Sequence, residues 1–173
     1  QNDILSLAAT EALPVLLKHL TSSADRQRNI ADRLRRWNGK MSRDAAEPLI
    51  FISWLSEVNR SIYADELGLQ FEGYFRLRPR VVMRMLTARQ QWCDNITTPA
   101  TETCKETVSN ALNAALGSLE AQFGPNIDAW RWGAAHEAVF SHPLFGRIPV
   151  LRNLADIRIE SDGGPFTVNR AQP

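Results

Sequence analysis

The residues best suited to chemistry lie in one twenty-residue stretch, WRWGAAHEAVFSHPLFGRIP, at residues 130–149. It holds two of the chain's three histidines, His136 and His142, and also Glu137. Two histidines and a glutamate could hold a zinc ion, but the zincin motif places its histidines four residues apart on one helix face. Here the histidines are six residues apart, and Pro143 follows the second. The spacing therefore argues against zinc, and a metal-binding helical protein is kept only as a third hypothesis.

No other motif in the chain supplies a complete catalytic site. His136 and Glu137 are adjacent, and adjacent side chains diverge in helices and in strands, so they do not form a catalytic dyad. A serine nucleophile needs an elbow or a positioned base, and the sequence contains no GxSxG. The DGG at Asp162 lacks the framework of a phosphate loop or an EF-hand and is typical of a turn. We therefore assign no catalytic, cofactor-binding or metal-binding residue to this chain.

The other interpretation of residues 130–149 is a structural seam. Trp130, Trp132 and Phe140 would supply the packing, while His136 and His142 would make hydrogen bonds that fix it. His136 is then a buried hydrogen-bonding residue among aromatic rings. The sequence favours this seam over a catalytic or metal centre.

The only two cysteines, Cys93 and Cys104, flank the polar loop DNITTPATET between two predicted helices. This arrangement favours a disulfide, which would close a loop of about twelve residues and contribute about 3 kcal/mol in the chain-entropy model. The alternative is two unrelated thiols, and their spacing matches neither a CxxC redox motif nor a zinc motif. A disulfide would indicate an oxidising compartment, either the bacterial periplasm or the outside of the cell.

The composition is that of an ordinary globular protein, with 44% hydrophobic and 23% charged residues among 173. The net charge of +1 gives no electrostatic case for binding nucleic acid or an anionic membrane surface. No apolar run approaches the roughly 20 residues that span a bilayer, and no signal peptide is recognisable. Because the chain opens on Gln1 and not on methionine, we expect a processed or truncated piece of a longer protein.

The elements that must position these residues are predicted to be mainly helices. Pro14 is expected to kink or split the first helix. Asp44 and Glu47 have capping-box spacing at the start of the third, and Thr98 is the expected N-cap of the last, with Pro99 in its first turn. Apolar residues at helical spacing place the helices at 4–20, 30–37, 44–62, 79–90 and 99–123.

Two short segments near the end of the chain have the pattern of strands. They are LADIRIES at 154–161 and FTVN at 166–169, separated by the turn sequence DGGP. An isolated hairpin is marginal in water, and nothing else in the chain obviously provides a sheet. We therefore expect the partners of these strands to lie elsewhere in a larger protein. A free-standing helical interaction or structural module, with a self-contained core, is the alternative.

Four segments, in chain order, resemble a known enzyme family. The most specific are W-x-W-G-x-x-H-x-x-x-F-x-H-P-L at 130–144 and the later G-G-x-x-T-V-N. The other two are QNDILSLAATEALPVLL at 1–17 and LRRWNGKMSRDAAEPLIFISWLSEV at 34–58. Together they span essentially the whole chain. The chain resembles the C-terminal half of the β chain of the penicillin acylase family, which includes penicillin amidases, aculeacin-type acylases and acyl-homoserine-lactone acylases.

The resemblance implies an N-terminal-nucleophile hydrolase with an αββα fold. Such enzymes are periplasmic or secreted, and their precursors cut themselves into α and β chains. The first residue of the β chain, usually serine, attacks a linear amide with its own α-amino group as base, and an acid and an amine are released. A backbone N–H and an asparagine side chain stabilise the oxyanion. The implied substrates are a penicillin, an acyl-homoserine lactone or a lipopeptide side chain.

This chain departs from the family pattern because it lacks the nucleophile segment. Gln1 cannot be the nucleophile, so no catalytic residue carries over to any position. The resemblance implies a helical subdomain at 1–125, and an aromatic seam with one or two strands that return to the αββα core at 126–173. The implied partners are the α chain, the N-terminal part of the β chain and a small amide substrate. A structural Ca²⁺, which the family can carry, would be bound elsewhere.

Overall fold

The computed structural model describes residues 3–21, 24–140 and 156–170, and these residues are mainly helical. The α-helices are α1 (Leu7–His19), α2 (Asp25–Arg36), α3 (Glu47–Leu67), α4 (Phe71–Tyr74), α5 (Pro79–Ala88) and α6 (Cys104–Phe123). Short 3₁₀ turns occupy Gly68–Gln70, Gln90–Cys93, Ile127–Ala129 and Trp132–Ala134. The strands are β1 (Glu137–Phe140) and β2 (Ile157–Glu160). The predicted fold class, mainly α with short strands near the C-terminal end, is confirmed.

The two long helices, α3 and α6, pack against each other and form the centre of the core. The indole N–H of Trp54 donates to the carbonyl oxygen of Val108 over 2.9 Å, which satisfies the one polar atom of a fully buried tryptophan. Helices α1, α2 and α5 pack around this pair. One face of α6 is buried at the predicted helical spacing, through Cys104, Val108, Ala111, Leu112, Ala115 and Leu119.

Helix α6 begins at Cys104, so the expected start at Pro99 with Thr98 as N-cap is wrong. Thr103 is the N-cap: its hydroxyl accepts the backbone N–H of Glu106 over 3.3 Å. The Glu106 carboxylate in turn accepts the backbone N–H of Thr103 over 2.8 Å. This capping box satisfies two N–H groups that have no helical partner. Thr98 cannot form one because no Glu or Gln stands three positions after it.

Helix α3 begins at Glu47, so the predicted capping box at Asp44 and Glu47 is also wrong. Ala46 occupies the N-cap position, and Pro48 lies in the first turn, where its missing N–H removes no helical hydrogen bond. The Glu47 carboxylate instead accepts a hydrogen bond from Arg33 over 2.5 Å. The Glu47 side chain therefore forms an ion pair with another helix and does not cap its own helix.

Helix α1 continues through Pro14, so this proline does not split it. Pro14 is exposed. Because proline has no N–H, one backbone carbonyl of the preceding turn lacks its helical hydrogen bond, and this carbonyl lies on the solvent side of the helix. The helix begins at Leu7 rather than Ile4, because the hydroxyl of Ser6 caps it by accepting the backbone N–H of Ala9 over 3.2 Å.

Strands β1 and β2 form an antiparallel ribbon, with Phe140 opposite Ile157. The strand predicted at 154–161 is present as β2, but it finds a partner within this chain, which the sequence did not predict. The strand predicted at 166–169 is wrong, because these residues lie in a turn and the segment after it. There the hydroxyl of Thr167 accepts the Gly164 N–H over 2.9 Å, and this local bond replaces a strand ladder.

The first described residue lies beside the last described segment. The backbone N–H of Asn169 donates to the carbonyl oxygen of Asp3 over 3.1 Å. The segment before α1 also pairs with the loop after α2, where the N–H of Ser6 donates to the carbonyl oxygen of Gly39 over 2.9 Å. Within the described residues, no helix is both long enough and apolar enough to cross a membrane.

Candidate functional site

Trp130 is buried where the chain leaves α6. Its indole N–H donates to the carbonyl oxygen of Gly124 over 2.8 Å, and Gly124 ends α6 in the left-handed region at φ 82°. Trp130 belongs to the same buried cluster as the side chains of α3 and α6. The division of the chain into 1–125 and 126–173 stays a prediction.

Trp132 lies between the loop before α3 and the glycines near the C-terminal end. Its backbone N–H donates to the carbonyl oxygen of Ala45 over 2.9 Å. Its indole N–H donates to the carbonyl oxygen of Gly163 over 2.7 Å. A Cβ added at Gly164 would lie 3.3 Å from the indole ring, so a glycine leaves the ring room to approach the backbone. Trp132 therefore connects two parts of the chain that are far apart in sequence.

The ring of His136 stacks on Trp132, with the ring centroids 5.0 Å apart and 20° between the planes. Burial lowers the pKa of His136, and a hydrogen bond to the backbone of Arg170 opposes that shift. Its Nε2 is buried and has no hydrogen-bond partner among the described residues. The ring is therefore neutral at physiological pH, and it lies against an indole rather than beside a nucleophile.

Phe140 does not join this cluster. It ends β1 and is 50% exposed, opposite an Ile157 that is 61% exposed. His142 lies outside the described residues. The structure thus brings Trp132 and His136 together, places Trp130 at the end of α6, and leaves the side chain of Phe140 on the surface of the ribbon.

The sequence did not indicate two polar residues that hold the seam in place. The carboxylate of Asp162 accepts the backbone N–H of Arg43 over 2.7 Å. The hydroxyl of Thr167, which is buried, donates to the carbonyl oxygen of Asn169. No local pattern could have indicated the first bond, because Arg43 and Asp162 stand 119 positions apart in the sequence. The turn predicted at DGGP is present in part, since Pro165 and Phe166 lie in a turn.

Charged side chains lie across the outer side of the seam. Arg131 hydrogen-bonds to Glu160 of β2 and to Asp44 at 3.3 Å. Glu137 pairs with Arg158 at 3.2 Å across the ribbon. Glu137 is thus engaged by an arginine and does not act as a partner of the neighbouring histidine.

Cys93 and Cys104 form a disulfide, with their Cα atoms 5.0 Å apart. The loop that it closes is held by side-chain bonds: the N–H of Asn95 donates to the Glu102 carboxylate over 2.9 Å, and the N–H of Glu102 donates to Asp94 over 3.0 Å. The bond attaches the turn after α5 to the first residue of α6. Neither sulfur is available as a nucleophile or a metal ligand in this state.

The two histidines among the described residues are not paired with a serine hydroxyl. His19 and His136 each hydrogen-bond to backbone, at Leu86 and Arg170, rather than to a serine side chain. In the part of the chain that the structure describes, no group of three or more His, Cys, Asp or Glu side chains could hold a metal ion. The role of Trp130, Trp132 and His136 as a structural seam stays a prediction.

Comparison with known proteins identifies the family. The penicillin amidase family matches residues 1–173, which is the entire chain. The chain belongs to the penicillin amidase family. The resemblance seen in the sequence motifs is thereby confirmed.

Individual relatives carry a more specific name. The chain is 27% identical over 172 residues to the acyl-homoserine lactone acylase QuiP of Pseudomonas aeruginosa, an alignment that covers 91% of this chain and 20% of the relative. It is 26% identical over 146 residues to the QuiP of Pseudomonas putida, covering 79% of this chain and 17% of the relative. The chain therefore spans at most about a fifth of the length of these relatives.

Proposed function

We propose that this chain is the helical part of the β chain of an acylase whose parent protein hydrolyses a linear amide to a carboxylic acid and an amine. The observation that carries the proposal is the family match over residues 1–173. The names of the relatives make an N-acyl-homoserine lactone the first substrate to test. Penicillins and lipopeptides with an acyl side chain are the other candidate substrates.

The proposed nucleophile is an N-terminal serine outside this chain. Its hydroxyl oxygen attacks the amide carbonyl carbon while its own α-amino group takes the proton, and the amine leaves with a proton. Water then hydrolyses the acyl ester and frees the serine together with the acid. The support from this chain is that His19 and His136 bond to backbone groups and His136 stacks on a ring, whereas one N-terminal residue can carry both nucleophile and base.

The proposed contribution of this chain is structural. Phe140, Ile157 and Ile159 are 50%, 61% and 48% exposed. They share one face of the ribbon, because directly opposed residues and residues two apart in a strand point to the same side. We propose that the α chain and the N-terminal part of the β chain cover this apolar face. The relatives are about five times longer than the matched region, so enough additional chain is present to do so.

The proposed location is the bacterial periplasm or the outside of the cell. The support is the disulfide between Cys93 and Cys104, since such bonds persist in oxidising compartments. We propose no cofactor in this chain. A structural Ca²⁺ of the parent protein is proposed to lie outside this chain.

The test is amide hydrolysis by the parent protein. N-decanoyl-homoserine lactone, benzylpenicillin and an acylated lipopeptide are incubated with it, and the released primary amine is quantified. The expected result is amine release from at least one of them, with the acyl-homoserine lactone preferred. The proposal is contradicted if none of the three compounds releases amine.

A non-catalytic helical module is the second candidate. It is favoured by the continuous buried core, which runs through all five of the longer helices. Hydrogen exchange in the isolated chain at residues 157–159 and 166–168 distinguishes the two. Protection equal to that in the parent protein argues for a complete module, whereas faster exchange in the isolated chain argues for surfaces that need the rest of an acylase.

A further inference from the structure

Five arginines form a basic surface on α5 and at its two ends. They are Arg76, Arg78, Arg80, Arg84 and Arg89, and all five residues are exposed. The segment 73–93 contains no aspartate or glutamate, so the rest of the chain carries a net negative charge although the total is +1. The small net charge of the chain therefore conceals a strong local positive charge, which we call the α5 basic surface.

The charges of the α5 basic surface are largely unneutralised. In the part of the chain that the structure describes, only Arg80 forms an ion pair, at 3.6 Å from Glu11 of α1, and its side chain is still 84% exposed. Glu66 lines the same cleft as Arg76 and Arg78 but forms no ion pair with either. The surface is therefore free to bind a partner that carries many negative charges.

Helix α5 presents its arginines away from the core. Val82 and Leu86 on its inner face are fully buried, and the helix packs against α1 and α3. Arg80 and Arg84 stand four positions apart, so they share the exposed face of the helix. A helix with one apolar face against a core and one arginine-rich face outside fits a flat anionic surface.

Exposed apolar side chains lie beside these arginines. Tyr74 is 70% exposed and Leu67 is 38% exposed, and both line the cleft between α3, α4 and α5 that Arg76 and Arg78 also line. Rings and aliphatic side chains next to arginines are typical of proteins that lie at a membrane interface. A nucleic acid would use mainly the charges, because phosphate contacts dominate such binding. The combination favours a lipid surface.

We propose that the α5 basic surface binds an anionic phospholipid bilayer. The guanidinium groups pair with the phosphate groups of the lipids, and Tyr74 and Leu67 contact the boundary between the headgroups and the acyl chains. The protein lies on the bilayer surface through this contact. The inference goes beyond the proposed amide hydrolysis and does not depend on it.

The first test measures binding of the parent protein to vesicles by co-sedimentation. Vesicles of phosphatidylcholine alone are compared with vesicles that also contain phosphatidylglycerol, each at about 0.05 M and about 0.3 M NaCl. Binding is expected to need phosphatidylglycerol and to weaken at the higher salt concentration, because salt screens exposed charges. Equal binding to the two kinds of vesicle overturns the proposal. So does a lack of binding, as it would occur if another segment of the parent protein covered α5.

A DNA duplex tests the other kind of polyanion. It is added as a competitor to the parent protein and the anionic vesicles at the lower salt concentration. Release of the protein from the vesicles at a duplex phosphate concentration below that of the anionic lipid would overturn the proposal in favour of a nucleic acid. Retention on the vesicles is the expected result, because the duplex offers no apolar boundary to Tyr74.

Variants of the parent protein locate the contact. Arg80→Gln with Arg84→Gln is expected to weaken binding to anionic vesicles about thirtyfold. The matched control is Arg26→Gln with Arg36→Gln, which also removes two exposed charges from one helix and one surface ion pair, that of Arg26 with Glu120. The control is expected to weaken binding less than about threefold. Equal losses in the two double variants would show that only net charge matters and would overturn the proposal.

Tyr74→Ala separates the apolar contact from the charges. It is expected to weaken binding about fivefold and to leave the effect of salt unchanged, because salt does not screen the burial of a ring. The α5 arginine variant should instead reduce the effect of salt. Unchanged vesicle binding by Tyr74→Ala would overturn the proposed placement of this surface against the bilayer.

Discussion

Gly163 fixes the turn that brings the C-terminal segment onto Trp132. Its φ is 87°, and a Cβ added there would lie 2.0 Å from the carbonyl oxygen of Asn169. Gly124 has a similar φ of 82°, but a Cβ there would meet no atom within 4 Å. An alanine at Gly124 would therefore strain only the backbone conformation, whereas an alanine at Gly163 would also overlap another backbone atom.

We predict that Gly163→Ala destabilises the protein more than Gly124→Ala does. The left-handed backbone alone costs about 1–2 kcal/mol with a Cβ, and this applies to both variants. The overlap with Asn169 adds about 2 kcal/mol or more to the first, because the backbone must shift. Denaturant unfolding of the two variants measures the difference. Equal losses of unfolding free energy would show that the turn is not held as described.

The buried histidines predict a dependence of stability on pH. Burial lowers the pKa of His19, and Lys18 adds to the shift, while a hydrogen bond to the backbone of Leu86 opposes it. The unfolded chain titrates near its ordinary value of about 6.5, so it takes up a proton that the folded state resists. The free energy of unfolding should therefore keep its full value above about pH 6.5 and decrease as the pH falls below that value.

The measurement is the unfolding midpoint at about pH 7.5 and about pH 5.5, above the range in which most carboxylates titrate. His19→Gln keeps a neutral polar side chain, so its midpoint should fall less over this interval. His136 contributes in the same direction, because its pKa is also lowered, and the variant should retain part of the dependence. An unchanged slope in His19→Gln would contradict the assignment.

At the scale of elements, the interior of a helix was easier to predict than its start. The apolar stripe of α6 was predicted correctly because helical spacing is a local property of the sequence. Its start depended on which threonine has a glutamate three positions later, and Thr103 with Glu106 satisfies that rule. The start of α3 could not be predicted in this way, because Arg33 from another helix binds Glu47.

The capping box of α6 gives a direct test at this scale. Thr103→Ala removes the acceptor for the Glu106 N–H and should cost about 1 kcal/mol of unfolding free energy. Thr101→Ala, at an exposed position of the same loop, is the matched control and should change stability by less than about 0.5 kcal/mol. If the two variants lose the same free energy, Thr103 is not the N-cap.

The ribbon shows what sequence patterns miss. β2 was predicted from its alternation, whereas β1 was not, because EAVF is short and its partner comes after a long connection. Of the residues assigned to the candidate seam, Trp132 and His136 lie against each other, while the role of the seam stays a prediction. The exposure of Phe140 could not be predicted, because it depends on the pairing of β1 with β2, which no local pattern encodes.

At the scale of the whole molecule, the disulfide joins two parts of the helical core. It ties the turn after α5 to the start of α6, and Thr107 supports it by donating to the carbonyl oxygen of Cys93 over 2.7 Å. Its closed loop is short, so the entropy removed from the unfolded chain is moderate.

We predict that replacing Cys93 and Cys104 together with alanine lowers the free energy of unfolding by about 3 kcal/mol. Unfolding of the wild type with and without reductant is the control, and the reduced protein should match the double variant. Thiol titration of the denatured, unreduced protein should find no free thiol. Two free thiols would remove the bridge and, with it, the support for an oxidising compartment.

We propose that this chain is an inert part of an amide hydrolase whose nucleophile lies outside residues 1–173. The most direct test incubates a chromogenic long-chain acyl amide with the isolated chain and with the parent protein, at equal molar concentration. We expect release of the chromogenic amine by the parent protein and none above buffer by the isolated chain. Turnover by the isolated chain would contradict it.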